Sequence, residues 1–196
     1  MNKLRLIVIC FTVVFATACK DSNKEKEAPA TVVETEPVMT EDMTPNEKKL
    51  TVTLAPKNGS NVEGSINFSE SDNMVTMVGT ITGLEEGKHA IHIHEKADCS
   101  ADDGTSSGGH WNPTGQPHGA WGDEAGYHKG DIGNLVADAN GRATISKMTD
   151  EWCIGCEDET KDVLGKAIIV HIGEDDLVTQ PTGAAGARIG CAGIIE

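Results

Sequence analysis

The amino-acid sequence predicts an all-β protein, an antiparallel sandwich or flattened barrel of about eight short strands. Glycine is abundant, at 22 of 196 residues, and aromatic residues make up only 4%. This balance favours turn-rich β structure over helices. In addition, short segments of alternating apolar and polar residues recur after residue 48, with turn residues between them. Such alternation is typical of strands with one buried face.

Residues 1–18 are predicted to be a signal peptide of the lipoprotein type. Lys3 and Arg5 precede an apolar run, residues 6–15, that is too short for a comfortable membrane span. Small residues then lead into Cys19, the pattern of a bacterial lipoprotein that is cleaved before this cysteine and acylated on it. An ordinary signal peptide is the alternative, because Ala16 stands where leucine is commonest. We expect the protein in the cell envelope, in the periplasm, anchored to a membrane by lipidated Cys19.

Residues 19–47 are predicted to be a flexible acidic linker. They are rich in Glu, Lys, Thr and Pro and have no sustained apolar periodicity, a composition typical of disorder. A random coil of this length would hold the following domain, residues 48–196, on the order of 30 Å from its anchor.

Within this domain, strand patterns alternate with turns and leave one long gap. We expect strands at residues 50–54, 62–68, 74–81, 89–94, 134–137, 142–148, 166–172 and 189–195. The pair Asn140-Gly141 predicts a tight hairpin. No strand pattern occurs from Glu95 to Gly130. A loop this long inside a compact domain is usually functional.

The fourth expected strand contains an alternating pair of histidines. On a strand, His92 and His94 project from one face, with Ile91 and Ile93 on the other. Such a pair alone is weak evidence for a metal, because histidines on strands often contact only solvent. Four further histidines follow in glycine-rich or strand-like surroundings: His110, His118, His128 and His171. A nitrogen-rich set of this kind suits copper and zinc.

The sequences around these histidines are specific. His110 lies in GGHWNP, His118 in PHG and His128 in YHKGDIGN, while His171 closes AIIVH and is followed by GAAGARIGC. Together these segments resemble the copper/zinc superoxide dismutase family, and the resemblance covers roughly residues 48–196.

The resemblance implies an eight-stranded Greek-key barrel with a long metal-binding loop. It also implies dismutation of superoxide to oxygen and hydrogen peroxide by a cycling copper ion, with a zinc-supported histidine as the bridge. The implied copper ligands are His92, His94, His110 and His171. The implied zinc ligands are His110, His118, His128 and Asp131. His110, as proton carrier, and Arg188, which attracts superoxide, are the implied catalytic residues.

Three further positions take their expected roles from the same resemblance. Asp175 would orient one copper ligand and one zinc ligand, although a solvated acidic turn is the alternative. Thr182 would narrow the channel to the copper. His89 would make structural hydrogen bonds.

The resemblance also implies a disulfide between Cys99 and Cys191, which would tie the long loop to the last strand. Export favours an oxidised bridge. Cys153 and Cys156 have no counterpart in the family pattern. They could form a second, local disulfide, a redox switch or a copper-entry site with two thiolates.

The charge of the chain limits its partners. A net charge of -15 argues against nucleic acid and surrounds the protein with an anionic field. The expected partners are the superoxide anion, a membrane contacted only through the N-terminal lipid, and a second copy if the chain forms a homodimer. No lysine stands between His171 and Arg188. Attraction of superoxide would therefore depend on Arg188, the metals and lysines elsewhere, such as Lys96 or Lys129.

Two other classes of function compete with dismutation. A copper-handling protein of the same fold would bind metal without turnover, but storage does not need an arginine in a channel. A zinc hydrolase would need an open zinc position and a carboxylate base, and the pair His92 and His94 is followed by Glu95-Lys96, with no further Asp-His pair.

Overall fold

The structure is a computed structural model that describes residues 47–196. The predicted signal peptide and the predicted linker up to residue 46 lie outside the described residues. The strands are β1 Lys48–Pro56, β2 Glu63–Ser71, β3 Met74–Thr82, β4 Gly87–His94, β5 Asp131–Ala137, β6 Ala143–Thr149, β7 Ala167–His171 and β8 Arg188–Gly193, with a 3-10 helix at Thr105–Ser107. No helix in this part of the chain is long and apolar enough to cross a membrane.

The eight strands form one antiparallel sheet in the order β5-β4-β7-β8-β1-β2-β3-β6. The chain crosses between the two halves of this sheet at the β3–β4, β5–β6 and β6–β7 connections, which is a Greek-key path. The sheet curls into a nearly closed barrel with β5 and β6 at its edges. This confirms the predicted all-β, eight-stranded antiparallel fold.

Burial along the strands follows their place in the barrel. On β1, Val52 and Leu54 are buried between exposed neighbours, because alternate side chains face the core. Every residue of β7 is buried. This strand lies between β4 and β8, and a strand covered on both faces is expected to be continuously apolar. The interior strands β4 and β7 therefore carry their histidines inside the protein.

The turn at Asn140-Gly141 is present, but the predicted hairpin is wrong. The Asp138 N–H donates to the Arg142 carbonyl at 2.9 Å, and Gly141 has a φ of 71°. Beyond this turn β5 and β6 do not pair, since they are the two ends of the sheet. Leu84, buried in the β3–β4 turn, donates its N–H to the Gly141 carbonyl at 3.2 Å. The β3–β4 connection thus packs where the barrel closes, and a seam without backbone pairing remains between β5 and β6.

Candidate metal centre

The end of β4 and the long loop bring three histidines together. The Trp111 N–H donates to the Ile93 carbonyl at 2.8 Å, so the loop runs beside the end of the strand. This contact places the ring centroid of His110 at 4.0 Å from that of His92 and 5.0 Å from that of His94. An isolated β-bridge between the long loop and β4 therefore positions His110, although His110 lies outside the eight strands.

Gly130 holds the start of β5 against the same strand end. The Ile93 N–H donates to its carbonyl at 2.9 Å, and its own N–H donates to the Trp111 carbonyl at 3.0 Å. A Cβ at this position would lie 2.2 Å from the Ile93 carbonyl oxygen. Only glycine permits this approach without movement of the backbone, and the approach brings Asp131 to His110.

Four buried imidazoles form a first group, the all-histidine cluster, with ligand atoms within 4.8 Å of one another: His92, His94, His110 and His171. In each ring one nitrogen has no hydrogen-bond partner among residues 47–196, Nδ1 in His92 and Nε2 in the other three. The other nitrogen of each ring lies 2.7–3.0 Å from an oxygen atom. The pairs are His92 with Asp175, His94 with Gly108, His110 with Asp131, and His171 with Gly186. Buried polar atoms normally have partners. Four converging nitrogens without a partner within residues 47–196 are therefore a group that could hold a metal ion.

A second group, the aspartate cluster, consists of His110, His118, His128 and Asp131. Oδ1 of Asp131 lies 2.9 Å from Nδ1 of His110 and 3.1 Å from Nδ1 of His128, and Oδ2 lies 3.0 Å from Nδ1 of His118. His110 thus belongs to both groups, with Nε2 toward the all-histidine cluster and Nδ1 toward the aspartate cluster. Three histidines and one carboxylate suit zinc, and a group of four imidazoles suits copper or zinc.

Burial sets the protonation of three rings of the all-histidine cluster. Desolvation lowers the pKa of His94 to about 2, of His171 to about 3 and of His110 to about 4. Desolvation disfavours the charged imidazolium, so these rings are neutral near pH 7. A neutral imidazole is the form that binds a metal ion.

The carboxylates reverse this effect in the aspartate cluster. Desolvation alone would lower the pKa of His118, but hydrogen bonds to Asp131 and Asp175 raise it to about 9. Desolvation would likewise raise the pKa of Asp131, but hydrogen bonds from its three histidine partners hold it well below the usual range. Asp131 is therefore an anion, and it can bind a cation together with the histidine rings around it.

Asp175 joins the two clusters. Its Oδ2 lies 2.7 Å from Nε2 of His92 and its Oδ1 lies 2.9 Å from Nε2 of His118. Its side chain is fully buried, which excludes the alternative of a solvated acidic turn. The side chain of Asn134 on β5 exchanges hydrogen bonds of 2.8 and 2.9 Å with the backbone of Asp175. The sequence pattern predicted only that Asn134 begins a strand, and this contact with Asp175 was not expected.

Arg188 lies beside the all-histidine cluster at the start of β8, where it is the register partner of His171. Its Nη1 donates to the Gly104 carbonyl at 2.8 Å and to Oγ of Ser107 at 3.0 Å. After burial and nearer neighbours, its charge is a further cause of the lowered pKa of His94 and His171. The guanidinium is therefore fixed close to the cluster.

A disulfide joins Cys99 in the long loop to Cys191 in β8, with 5.8 Å between their Cα atoms. It ties the loop that contains Gly104 to the strand that contains Arg188. Lys57 donates from Nζ to the Cys99 carbonyl at 2.5 Å. A Cβ on Gly104 would contact both Lys57 and Arg188, at 3.7 and 3.4 Å. Lys57 is thus a second cation in this region, which the sequence did not reveal.

The other predicted positions fall in different surroundings. Thr182 is half-buried in the β7–β8 loop. His89 is buried, with both ring nitrogens within 3.0 Å of backbone carbonyl oxygens. Lys129, one of the lysines expected to attract superoxide, is paired with Glu151. Cys19 lies outside the described residues.

Cys153 and Cys156 form the second disulfide, between β6 and β7, with 6.1 Å between their Cα atoms. Cys153 is buried and Cys156 is half-buried. Of the alternatives that the sequence left open, this structure contains the local bridge.

An antiparallel eight-stranded barrel with two donor groups that share one imidazole defines a dinuclear β-barrel metalloprotein. A family model described as copper/zinc superoxide dismutase matches residues 62–194. The chain belongs to the copper/zinc superoxide dismutase family, which implies copper and zinc as its cofactors.

Individual relatives agree with this assignment. Cu-Zn superoxide dismutase 2 of Mesembryanthemum crystallinum is 40% identical over 150 residues, which are 72% of this chain and 92% of that protein. The copper chaperone for superoxide dismutase of Rattus norvegicus is 38% identical over 159 residues, 76% of this chain. The match spans about half of the chaperone, 54% of its length. Among solved structures, a double mutant of a SOD-like protein from Bacillus subtilis superposes with a TM-score of 0.67 at 32% identity, covering 74% of this chain and 97% of that one.

Proposed function

We propose that the protein is an enzyme that converts two superoxide anions and two protons into one molecule of oxygen and one of hydrogen peroxide. The observation that carries this proposal is the position of His110. Its Nδ1 lies 2.9 Å from Asp131 in the aspartate cluster, while its unpartnered Nε2 points to the all-histidine cluster. A shared imidazole of this kind can couple a proton to a change at the neighbouring metal.

The all-histidine cluster would hold copper and the aspartate cluster would hold zinc. Copper would supply the one-electron redox chemistry, and zinc would supply a fixed positive charge at the other side of the shared ring. Asp131 would be a zinc donor itself, and its buried carboxylate lies within 3.1 Å of the three histidine rings of that cluster. Asp175 orients one ring of each group, His92 and His118.

His110 is assigned to proton transfer. Its Nδ1 lies 2.9 Å from Oδ1 of Asp131, which fixes the orientation of the ring. Nε2, on the other side of the ring, would accept a proton and pass it to the peroxide product as a general acid.

Arg188 is assigned to the attraction and positioning of superoxide. Two hydrogen bonds from Nη1 fix the guanidinium, and its other N–H groups make no hydrogen bond within residues 47–196. They remain as donors for a small anion. A local cation is needed because the chain as a whole has a net charge of -15.

Copper delivery is the second candidate. It is favoured by the likeness to the copper chaperone of Rattus norvegicus. A protein with this function would bind copper without accelerating superoxide decay.

Direct measurement of superoxide decay separates the two candidates. The copper- and zinc-loaded protein is compared with the metal-free protein, with copper occupancy measured in the same samples. Dismutation predicts a second-order rate constant of ~10⁸–10⁹ M⁻¹s⁻¹ for the loaded protein. Full copper occupancy without acceleration would contradict dismutation and favour delivery.

We also propose that the protein is exported to the periplasm and anchored by a lipid on Cys19, as the residues before this cysteine indicate. Cells grown with labelled palmitate would incorporate label into the wild-type chain and not into Cys19→Ala. An unlabelled wild-type chain, found free after lysis, would contradict the anchor.

A further inference from the structure

Glu151, just after β6, contacts both residues that flank His128 of the aspartate cluster. The Tyr127 hydroxyl donates to Oε1 of Glu151 at 2.6 Å. The Lys129 ammonium donates to the other carboxylate oxygen, Oε2, and forms an ion pair with it. One carboxylate therefore binds the residues on both sides of His128 and makes no hydrogen bond to the His128 ring itself.

The residue after Glu151, Trp152, also contacts the segment around His128. The indole N–H of Trp152 donates to the Lys129 carbonyl at 2.9 Å, and Trp152 is buried. The Glu151 N–H donates to Oγ1 of Thr149 at 3.0 Å, which fixes the turn that follows β6. Two consecutive residues thus hold the three-residue segment around His128 through three side-chain contacts.

These contacts cross the seam of the barrel. His128 lies three residues before β5, and Glu151 lies two residues after β6. β5 and β6 are the two edges of the sheet and do not pair with each other. At one end of the seam the turn at Asn140-Gly141 joins the strands. At the metal end, the side chains of Glu151 and Trp152 take the place of backbone pairing.

His128 depends on its backbone more than the other rings of the aspartate cluster. His118 has Nε2 held by Asp175 at 2.9 Å, and the His110 side chain is only 1% exposed. The His128 side chain is 7% exposed. Its ring makes one hydrogen bond, from Nδ1 to Asp131. Its Nε2 has no hydrogen-bond partner within residues 47–196. No second group orients this ring, so the position of its main chain must do so.

The charges of the bridge agree with this role. Burial would raise the pKa of Glu151, but hydrogen bonds from Lys129 and Tyr127 hold it below its ordinary value. The hydrogen bond to Glu151 raises the pKa of Tyr127 to about 12. Near pH 7 an anionic carboxylate thus accepts from a neutral phenol and an ammonium group, which are strong, charge-assisted contacts.

We infer that Glu151 is a positioning residue for zinc: it places His128 by holding Tyr127 and Lys129 across the β5–β6 seam, and so sets zinc affinity without affecting the copper ligands. The inference rests on the proposed zinc site. Lys129 accordingly serves this bridge, and its charge is not free to attract superoxide.

Zinc affinity of the full-length protein tests the inference. Zinc is titrated in competition with a chromogenic chelator, and copper affinity is measured separately on the same variants. Partners that orient metal ligands typically contribute 10- to 100-fold to metal affinity. We expect Glu151→Ala to raise the zinc Kd by about 10- to 100-fold and Glu151→Gln, which keeps an acceptor for Tyr127, by less than about tenfold. Copper affinity should change by less than about twofold in both.

Asp150→Ala is the matched control, since it removes a neighbouring exposed carboxylate whose side chain makes no hydrogen bond or ion pair within residues 47–196. We expect it to leave zinc affinity unchanged. An unchanged zinc Kd in Glu151→Ala, or an equal loss of zinc and copper, would overturn the inference and leave Glu151 a structural residue. If Glu151→Ala does not fold, Glu151→Gln and Tyr127→Phe give the same comparison. A wild-type protein that binds no zinc would overturn the proposed zinc site, and the inference with it.

Discussion

Oδ2 of Asp175 lies 2.7 Å from Nε2 of His92, and both side chains are fully buried. The other oxygen of the same carboxylate lies 2.9 Å from Nε2 of His118. One side chain thus orients a ring in each cluster. The two proposed metal sites are therefore coupled through Asp175 as well as through His110.

Replacing Asp175 should weaken both sites together. In Asp175→Asn neither ring keeps an anionic acceptor, and the amide NH2 group cannot accept a hydrogen bond from the ring that it faces. We therefore expect the copper and zinc Kd values each to rise by about 10- to 100-fold. Chelator competition measures both constants. Glu174→Gln is the control, since Glu174 forms an exposed ion pair with Lys88. A loss confined to one metal would contradict the coupling.

How much of this site the sequence could predict depends on how local each contact is. The alternation of His92 and His94 follows from the strand period alone. Asn134 and Glu151 could not be identified, because their partners lie 41 and 24 residues away and meet only when the barrel closes. The wrong prediction of a hairpin at Asn140-Gly141 has the same cause, a dependence on contacts that are distant in sequence. A turn pattern is local, whereas the separation of β5 from β6 is set by the whole sheet.

Neutralising Arg188 should lower activity without loss of metal. The guanidinium is held beside the all-histidine cluster by Gly104 and Ser107. We expect Arg188→Gln to lower the rate constant of superoxide decay by about 10-fold or more, within the range of electrostatic steering. Arg188→Lys should keep part of the rate. Arg142→Gln, in the exposed β5–β6 turn, is the control, and an equal effect there would exclude a local role.

Removing the disulfide between Cys99 and Cys191 should reduce stability strongly. The bridge spans 92 residues, and the chain-entropy model gives about 4.6 kcal/mol for a loop of this length. Denaturant unfolding of the Cys99→Ala/Cys191→Ala variant measures the loss. The Cys153–Cys156 bridge spans 3 residues, so its removal should cost less than half as much in the same model. Equal losses would mean that loop closure does not control the effect.

The metal-free protein should be most stable near pH 6.5. The folded pKa values of His94, His171 and His110 are about 2, 3 and 4, below the ordinary 6.5. The unfolded chain therefore binds more protons as pH falls from 6.5 toward 4, and stability is lost. His118 has the opposite sign, because its raised pKa of about 9 makes its contribution disappear as pH rises from 6.5 toward 9. Urea unfolding across this range measures both slopes. A free energy of unfolding that stays constant from about pH 6.5 to pH 5 would contradict the assignment.

The response of activity to salt should show which charges superoxide encounters. The net charge of -15 repels an anion. Arg188 lies beside the all-histidine cluster, and Lys57 lies near the Arg188 side chain, since a Cβ on Gly104 would contact both. Lys129 is neutralised by Glu151. Salt shortens the screening length from about 30 Å at 0.01 M to about 10 Å at 0.1 M. We expect activity to fall roughly twofold or more over this range, because screening weakens the local attraction.

Lys57 makes this prediction specific. Lys57→Gln should flatten the dependence on salt, whereas Lys49→Gln, at an exposed lysine paired with Glu47, should not. Both variants remove one positive charge, so a difference between them reports position and not net charge. A wild-type rate that rises with salt would mean that repulsion by the acidic surface outweighs the attraction of Arg188 and Lys57.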